Sequence, residues 1–520
     1  MSKGEKMNDG KKASVRVDSE LDWDQINWKQ VEKTVARLQA RIVKAQKEGK
    51  YNKVKSLTRI LTNSFATKAL AVKQVTTNRG GHTPGIDGVV WKTSARKAQA
   101  ILELKQEGYK AKPLKRKYIP KAGSNKMRPL GIPTMKDRAM QALYATALSP
   151  IEETTGDACS YGFRPYRSCQ DAIAQIRLIM RHKNRPQWVL EGDIKGCFDN
   201  ISHDWIVKNI PSSPYMLKQW LKCGYFENDK KFFNEAGTPQ GGIISPIIAN
   251  MVLDGIETML NQKYKHKYRH SDTGEYYWKA SPKNDKQVFF IRYADDFIVT
   301  CNSKEVLENE IKPMLRDFLK ERGLELSEEK TVITSIQDGF DFLGFTVKVY
   351  NGTLLVTPAE KRLKRLRDKI GETIHQMEGQ SAETLIEKLN PIIRGWANYY
   401  RCANSTKAFS KLRSWVWEMV WEWAKRQHHN KGAKWVRKRY FTGTGNNKWR
   451  FQTKRRDGTL LVLTEATDCK LLRHIKIQNN RNPFDPKDRT YFETRKARTK
   501  TKYSKGNPSQ EPDTEKSVSY

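Results

Sequence analysis

The stretch VFFIRYADDFIVT, residues 288–300, sets two adjacent carboxylates, Asp295 and Asp296, inside a run of strand-forming residues. Neighbouring acids repel one another and lose hydration among apolar side chains, so the arrangement costs stability. Strand formers flank the pair on both sides, which predicts a β-hairpin with the acids at its tip. A solvated Asp-containing turn gives the same pattern, because Asp favours turns on its own account. A third acid shifts the balance. In WVLEGDIKGCFDNI, residues 188–201, Asp193 closes an apolar run and Phe198 follows five residues later. If that strand pairs beside the hairpin, three carboxylates converge on one edge of a sheet. Such a cluster needs cations, and Mg2+ suits it, because it takes hard oxygen ligands and shares them with substrate phosphates. Two such ions fit an in-line displacement by a 3′-hydroxyl with pyrophosphate as the leaving group.

Composition adds a polyanionic partner. Of 520 residues, 96 are Lys or Arg and 57 are Asp or Glu, a net charge of +39, more than solubility requires. No apolar span approaches the roughly 18 residues that cross a bilayer, and the basic stretches are interleaved with Trp and Tyr. Nucleic acid rather than membrane is therefore expected. The seven cysteines are scattered without a Cys-x-x-Cys pair, which disfavours a zinc ribbon and fits a reducing compartment. The N-terminus has no apolar signal core, and Glu5, Asp9 and Asp18 argue against a transit peptide. A cytoplasmic, nucleoid-associated protein is expected, with an organellar origin left open.

At this length several domains are expected. Residues 1–85 read as an N-terminal extension with a disordered start, to about residue 18, and then helices; Val31, Val35, Leu38 and Ile42 recur at helical spacing. Residues 86–355 alternate strand-like and helix-like runs, including SPIIANMVLDGIETML with Ser245 as N-cap and Pro246 at the first helical position. Residues 261–287 read as an exposed polar insertion. Residues 356–435 read as helical: Leu363, Leu366, Ile370 and Ile374 share one face, and Phe409, Leu412, Val416, Val420 and Trp423 form a core stripe. Residues 436–500 form a basic region and 501–520 a disordered tail. Within 401–500, 26 Lys or Arg face 8 Asp or Glu. The pair His428–His429 lacks nearby Cys partners and reads as basic surface, not a metal site.

Seven blocks in order carry a resemblance: YIPKAGSNKMRPLGIPTMKDRAMQ, SYGFRP, DIKGCFDNI, GTPQGGIISPIIANMVLDGIE, RYADDFIVT, GLELSEEKT and FDFLGF, followed by RGWANYYR at 394–401. The chain resembles the group II intron-encoded reverse transcriptase–maturases over residues 23–495. The resemblance implies an α+β right-hand polymerase with fingers, an antiparallel palm sheet and a helical thumb or maturase domain. It makes Asp193, Asp295 and Asp296 the catalytic, metal-holding triad, with Asp296 the more peripheral. Phe198 falls where the family places a steric gate against the 2′-hydroxyl, Gln240 at the incoming dNTP, and Lys121 and Arg128 at its triphosphate. Lys330 matches a lysine that protonates pyrophosphate, and FDFLGF a grip on the primer end.

RNA and DNA contacts are expected from Lys361, Arg362, Lys364, Arg365, Arg394 and Tyr399, and from Arg437, Lys438, Arg439, Trp449, Arg455 and Arg456. The implied partners are structured group II intron RNA, an RNA template with a DNA primer, dNTPs and a DNA target. Monomer and dimer both stay open. Many relatives carry a C-terminal nuclease domain with Cys and His ligands. No such ligands follow about residue 495 here, so no endonuclease is expected. The implied function is RNA-directed DNA synthesis joined to splicing and retrohoming of the parent intron. A splicing cofactor with a vestigial polymerase site and a polymerase recruited for host defence or repair are the alternatives.

Overall fold

The computed structural model describes residues 21–120, 127–182, 184–228, 230–233, 235–239, 241–269, 276–280, 286–443 and 449–504. At its centre is a four-stranded sheet in the order Val332–Ser335, Trp188–Gly192, Asp296–Cys301, Phe289–Tyr293, with every pairing antiparallel. These strands are rich in the β-branched and aromatic residues that suit a pleated surface. The two-residue period splits each strand between two cores. Leu190, Phe290, Phe297 and Val299 face one, while Val189, Ile291 and Ile298 face the other.

The first core runs into the N-terminal helices Trp28–Lys47, Tyr51–Asn63 and Phe65–Thr77, which stack on the helix Met135–Thr155. The expected stripe Val31, Val35, Leu38 and Ile42 is buried there. A second sheet, ordered Met127–Ile132, Leu114–Pro120, Tyr225–Glu227, Lys230–Phe232, projects beside it. The other core continues into a three-stranded sheet (Phe340–Phe342, Phe345–Tyr350, Thr353–Pro358) and the helices Glu360–Gln376, Ala382–Tyr400 and Thr406–Gln427. Both apolar stripes expected on the first and last of these helices are buried. Among the described residues no helix is long and apolar enough to cross a membrane.

Three details differ from the sequence reading. Ser245 is the first residue of its helix and Ile244 the cap; the Ser245 hydroxyl donates to Pro239 O at 2.9 Å instead of capping. The insertion expected to be exposed, 261–287, opens with the last turn of the helix Ile256–Tyr264, whose Tyr264 is buried with its hydroxyl 3.0 Å from Glu310, and continues as a hairpin, Lys265–Arg269 with Tyr276–Ala280. The helix Arg489–Ser504 runs into the segment expected as tail. The expectations for residues 1–18 and 505–520 fall outside the described residues.

Candidate active site

The antiparallel register brings the distant acids together. Gly192 pairs with Phe297, so the next step sets Asp193 opposite Asp296. Phe297 lies across Gly192 so closely that a Cβ there would meet its ring at 2.1 Å. Tyr293 pairs with Asp296, leaving Ala294 and Asp295 as a two-residue turn. Ala294 carries φ +57°, and it is the first central residue of that turn. Hairpins of this kind favour Gly at such a position, and an alanine in left-handed backbone costs about 1 kcal/mol.

Charge at the tip is unevenly compensated. Asp296 keeps an open edge to solvent, yet the protein packed around its carboxyl pushes its pKa up to about 6. Asp295 and Asp193 add to the push, and Arg362 and Lys330 oppose it. Solvent at the open edge screens that repulsion, so the shift is no measure of a folding penalty. Lys330 Nζ donates to Asp193 Oδ2 at 2.8 Å, and the contact raises the lysine's pKa. Glu191, two residues before Asp193 and on its face, is pushed up to about 7 by burial, with Asp341 adding.

Beneath the tip lies a polar framework that the sequence reading did not single out. Arg292 is fully buried. Its guanidinium donates to Asp254 Oδ1 at 2.5 Å, to Asn250 Oδ1 at 3.1 Å and to the turn carbonyl of Ala294 at 3.3 Å. Asn250 in turn donates to Gly162 O at 2.8 Å and to Glu152 Oε1 at 3.1 Å. Gly162, from SYGFRP, abuts the turn itself: a Cβ there would stand 2.2 Å from Ala294 N. The signal in the sequence was an arginine within the otherwise apolar run VFFIRY, which demands buried partners.

The remaining expected residues distribute around this tip. Phe198 is half-buried, in edge contact with Phe163 at 6.3 Å between centroids, and Phe163 itself has φ +59°. Thr238 N donates to Phe198 O at 2.6 Å, so the loop that leads to Gln240 docks on the Phe198 turn. Gly241 on its far side lies against Gly131 of the second sheet. Arg128 is exposed on that sheet; Lys121 and Gln240 lie outside the described residues. In FDFLGF, Leu343 and Gly344 both take positive φ, and their carbonyls accept from the hydroxyls of Tyr399 at 2.9 Å and Tyr400 at 3.0 Å. The ring of Tyr399 also stacks on Phe345, so this side chain joins helix to turn.

The basic residues sort by their partners. Lys361, Arg362, Lys364, Arg365, Arg437, Lys438, Arg439, Arg456 and Trp449 are exposed. Lys361 lies 3.3 Å from Asp341, and the Arg437 guanidinium sits over Trp449 at 4.5 Å. Arg394 donates to Thr464 Oγ1 at 2.9 Å, and Arg455 pairs with Glu387 at 2.6 Å and Glu383 at 3.3 Å. His428, just past the helix Thr406–Gln427, is half-buried, packing on Tyr440 and bonding its hydroxyl at 2.8 Å, whereas His429 is exposed.

The three carboxylates fit a hard divalent cation in kind. All donors are carboxylate oxygens, and their mutual repulsion is what a cation would relieve. Among the described residues, however, no three acidic, His or Cys side chains are drawn into a closed ligand set as they stand. The Lys330 ammonium already occupies one Asp193 oxygen.

Comparison with known proteins bears on this geometry. Residues 119–347 match the family described as reverse transcriptase (RNA-dependent DNA polymerase). Residues 23–104 match the N-terminal domain of reverse transcriptase, and residues 363–441 the group II intron maturase-specific domain. Protein YkfC of Escherichia coli K12 is 35% identical over 308 residues, covering 53% of this chain and 78% of that protein. Group II intron-encoded protein LtrA of Lactococcus lactis subsp. cremoris is 33% identical over 330 residues, 54% of each. The chain thus spans about half the length of that relative. Among solved structures, telomerase from Candida albicans aligns at a TM-score of 0.35 and 14% identity, over 63% of this chain and 64% of that one.

Proposed function

This chain belongs to the group II intron-encoded reverse transcriptase–maturase family, with the right-hand polymerase fold, and we propose that it is an RNA-directed DNA polymerase that also binds its parent intron RNA. The observation that carries the reading is the register that sets Asp193 across from Asp296 with Asp295 in the adjoining turn. Asp193 and Asp295 would be the principal holders of two Mg2+ ions, and Asp296 a peripheral one. When bound, these ions supply Lewis acidity to the attacking 3′-hydroxyl and charge neutralisation to the departing pyrophosphate.

The chain's own residues do the positioning. Phe198, braced by Phe163, bars a 2′-hydroxyl from the sugar pocket. Gln240 borders the nucleotide, while Lys121 and Arg128 hold its triphosphate, Arg128 from the second sheet. Lys330 keeps a proton beside Asp193, within reach of the leaving group. The FDFLGF turn, tied by Tyr399 and Tyr400, steadies the primer end. The exposed cations of the helix Glu360–Gln376, with Arg437, Lys438, Arg439 and Arg456, supply phosphate contacts to intron RNA, and through them splicing assistance and retrohoming. For the domain limits we propose those read from the sequence: extension to 85, fingers and palm to 355, thumb to 435, a basic domain to 500 and a tail to 520.

The test is primer extension on an RNA template with Mg2+ and dNTPs. Asp295→Ala should abolish incorporation while binding of intron RNA and assisted splicing persist. Extension by the variant at the parent's rate would refute the site.

A further inference from the structure

A cleft of about 1460 Å³ opens between the helix Cys169–Met180, the strand Thr353–Pro358, the start of the helix Thr406–Gln427 and residues 471–476. None of the carboxylate-site residues lines it. Eight lysines and arginines do, against one carboxylate, Glu360, which Lys411 already engages at 2.6 Å. Neutral oxygens fix several guanidiniums without cancelling their charge. Arg177 donates to Asn404 Oδ1 at 3.1 Å, and Arg185 to Gly352 O at 2.7 Å. The Arg177 Nε is buried and without a partner. Burial lowers the pKa of Arg177, and nearby Arg473 lowers it further; burial also lowers that of Lys476. Cations are thus held close together at a cost, in a concave surface.

The size and lining say what would repay that cost. The volume exceeds the roughly 300–1,000 Å³ of small-ligand sites. No Phe, Tyr or Trp lines the cleft, and its one imidazole, His474, is largely buried against Asp171 at 3.0 Å, so it offers no open platform on which bases stack. An extended polyanion read through its backbone is left. We propose that this cleft is a further nucleic-acid site that grips the phosphodiester backbone of an RNA strand, without base readout. It lies apart from the polymerase centre, from the exposed cations of the helix Glu360–Gln376 and from Arg437, Lys438, Arg439 and Arg456. The inference shares the RNA partner with the polymerase reading but none of its catalytic residues.

The test uses the full chain with its polymerase centre filled by a template–primer whose primer ends in a dideoxynucleotide. A labelled oligouridylate is then added, and its anisotropy is followed across a salt series. The variant combines Arg181→Gln, Lys407→Gln and Arg473→Gln, all at exposed positions, and an unchanged melting temperature verifies its fold. Each phosphate contact on a single strand contributes about 0.7 to the slope of log affinity on log salt, so the variant's slope should fall by about 2. Extension of an unblocked template–primer should stay within about twofold. Equal oligouridylate binding by parent and variant would overturn the proposal. So would an equal fall in extension, which would place the cleft on the polymerase path, or an equal loss of polyglutamate binding, which would make the partner an acidic polypeptide. Failure of the parent to extend any primer would count against the polymerase reading alone, because the anisotropy series judges the cleft separately.

Discussion

Adding one methyl group at Gly162 tests whether the acidic tip is held by its backing. The Cβ of Gly162→Ala would stand 2.2 Å from Ala294 N and 2.9 Å from Ala294 Cα and Tyr293 C. All three are backbone atoms, so no side-chain rotation relieves the contact. Ordinary van der Waals contact begins near 3.4 Å, so the two segments must part by roughly 1 Å. That movement is imposed on the turn carrying Asp295 and on the hydrogen bonds joining Asn250 to Gly162 and Arg292 to Ala294. A displacement of about 1 Å in a reacting geometry lowers a rate by about a hundredfold, and overpacking of this kind costs roughly 1–3 kcal/mol of stability. Single-turnover extension of a DNA primer on RNA should therefore slow by about two orders of magnitude, with intron RNA affinity unchanged. Thermal melting reports the stability loss separately. A variant that extends at the parent's rate would show that the tip does not depend on this contact.

Phe198→Val should keep DNA synthesis but lower the preference for dNTPs over rNTPs by about tenfold or more, read as the ratio of kcat/KM values; unchanged preference in an active variant would remove Phe198 from sugar selection. Burial pushes the Glu152 carboxyl up to about 8 from an ordinary 4.5, so the folded chain holds a proton that the unfolded chain releases, and stability should decline as pH rises from about 4.5 to 8. Glu152→Gln retains an acceptor for Asn250 and removes the titration, so its stability–pH curve from denaturant melts should be shallower over that window; parallel curves would refute the assignment.

How much of this was legible depended on the range of the interaction. The stripes Val31–Ile42 and Phe409–Trp423 were readable because a helix repeats every 3.6 residues and the apolar positions follow that period. The hairpin was readable because acids interrupt two runs of strand formers. Its pairing with the Asp193 strand could only be posed as a condition, since sheet register between segments about a hundred residues apart leaves no local mark. The Ser245 cap failed by one position because the hydroxyl found a tertiary acceptor, Pro239 O, that competes with capping. Gly162 was invisible as a constraint, because what forbids a side chain there is a backbone more than a hundred residues away. Lys330 and Phe198 entered through family resemblance. The structure adds that Lys330 contacts Asp193 and that Phe198 touches Phe163.

The framework under the tip also bears on why two adjacent acids are tolerated there. Around Arg292 the buried charges are Arg164 and Arg167 on one side and Glu152, Glu153 and Asp157, with the partly exposed Asp254, on the other. Arg167 pairs with Glu153 at 2.7 Å, and Arg164 pairs with the same carboxylate at 2.7 Å. Arg292 is taken by Asp254. If all four acids were ionised, they would exceed the three arginines and project negative field onto a turn that already repels itself. Burial pushes the carboxyls of Glu152, Asp157 and Asp254 upward, which moves them toward the neutral form. Less negative field from below is thereby added to the repulsion at the tip, where Asp295 and Asp193 already push Asp296 upward. Replacing Arg292 would leave Asp254 and the Ala294 carbonyl without their donor, at about 3–5 kcal/mol for a broken buried pair. The acidic tip is tolerable because the charge beneath it is held neutral or positive, and Arg292 is the residue that couples the two.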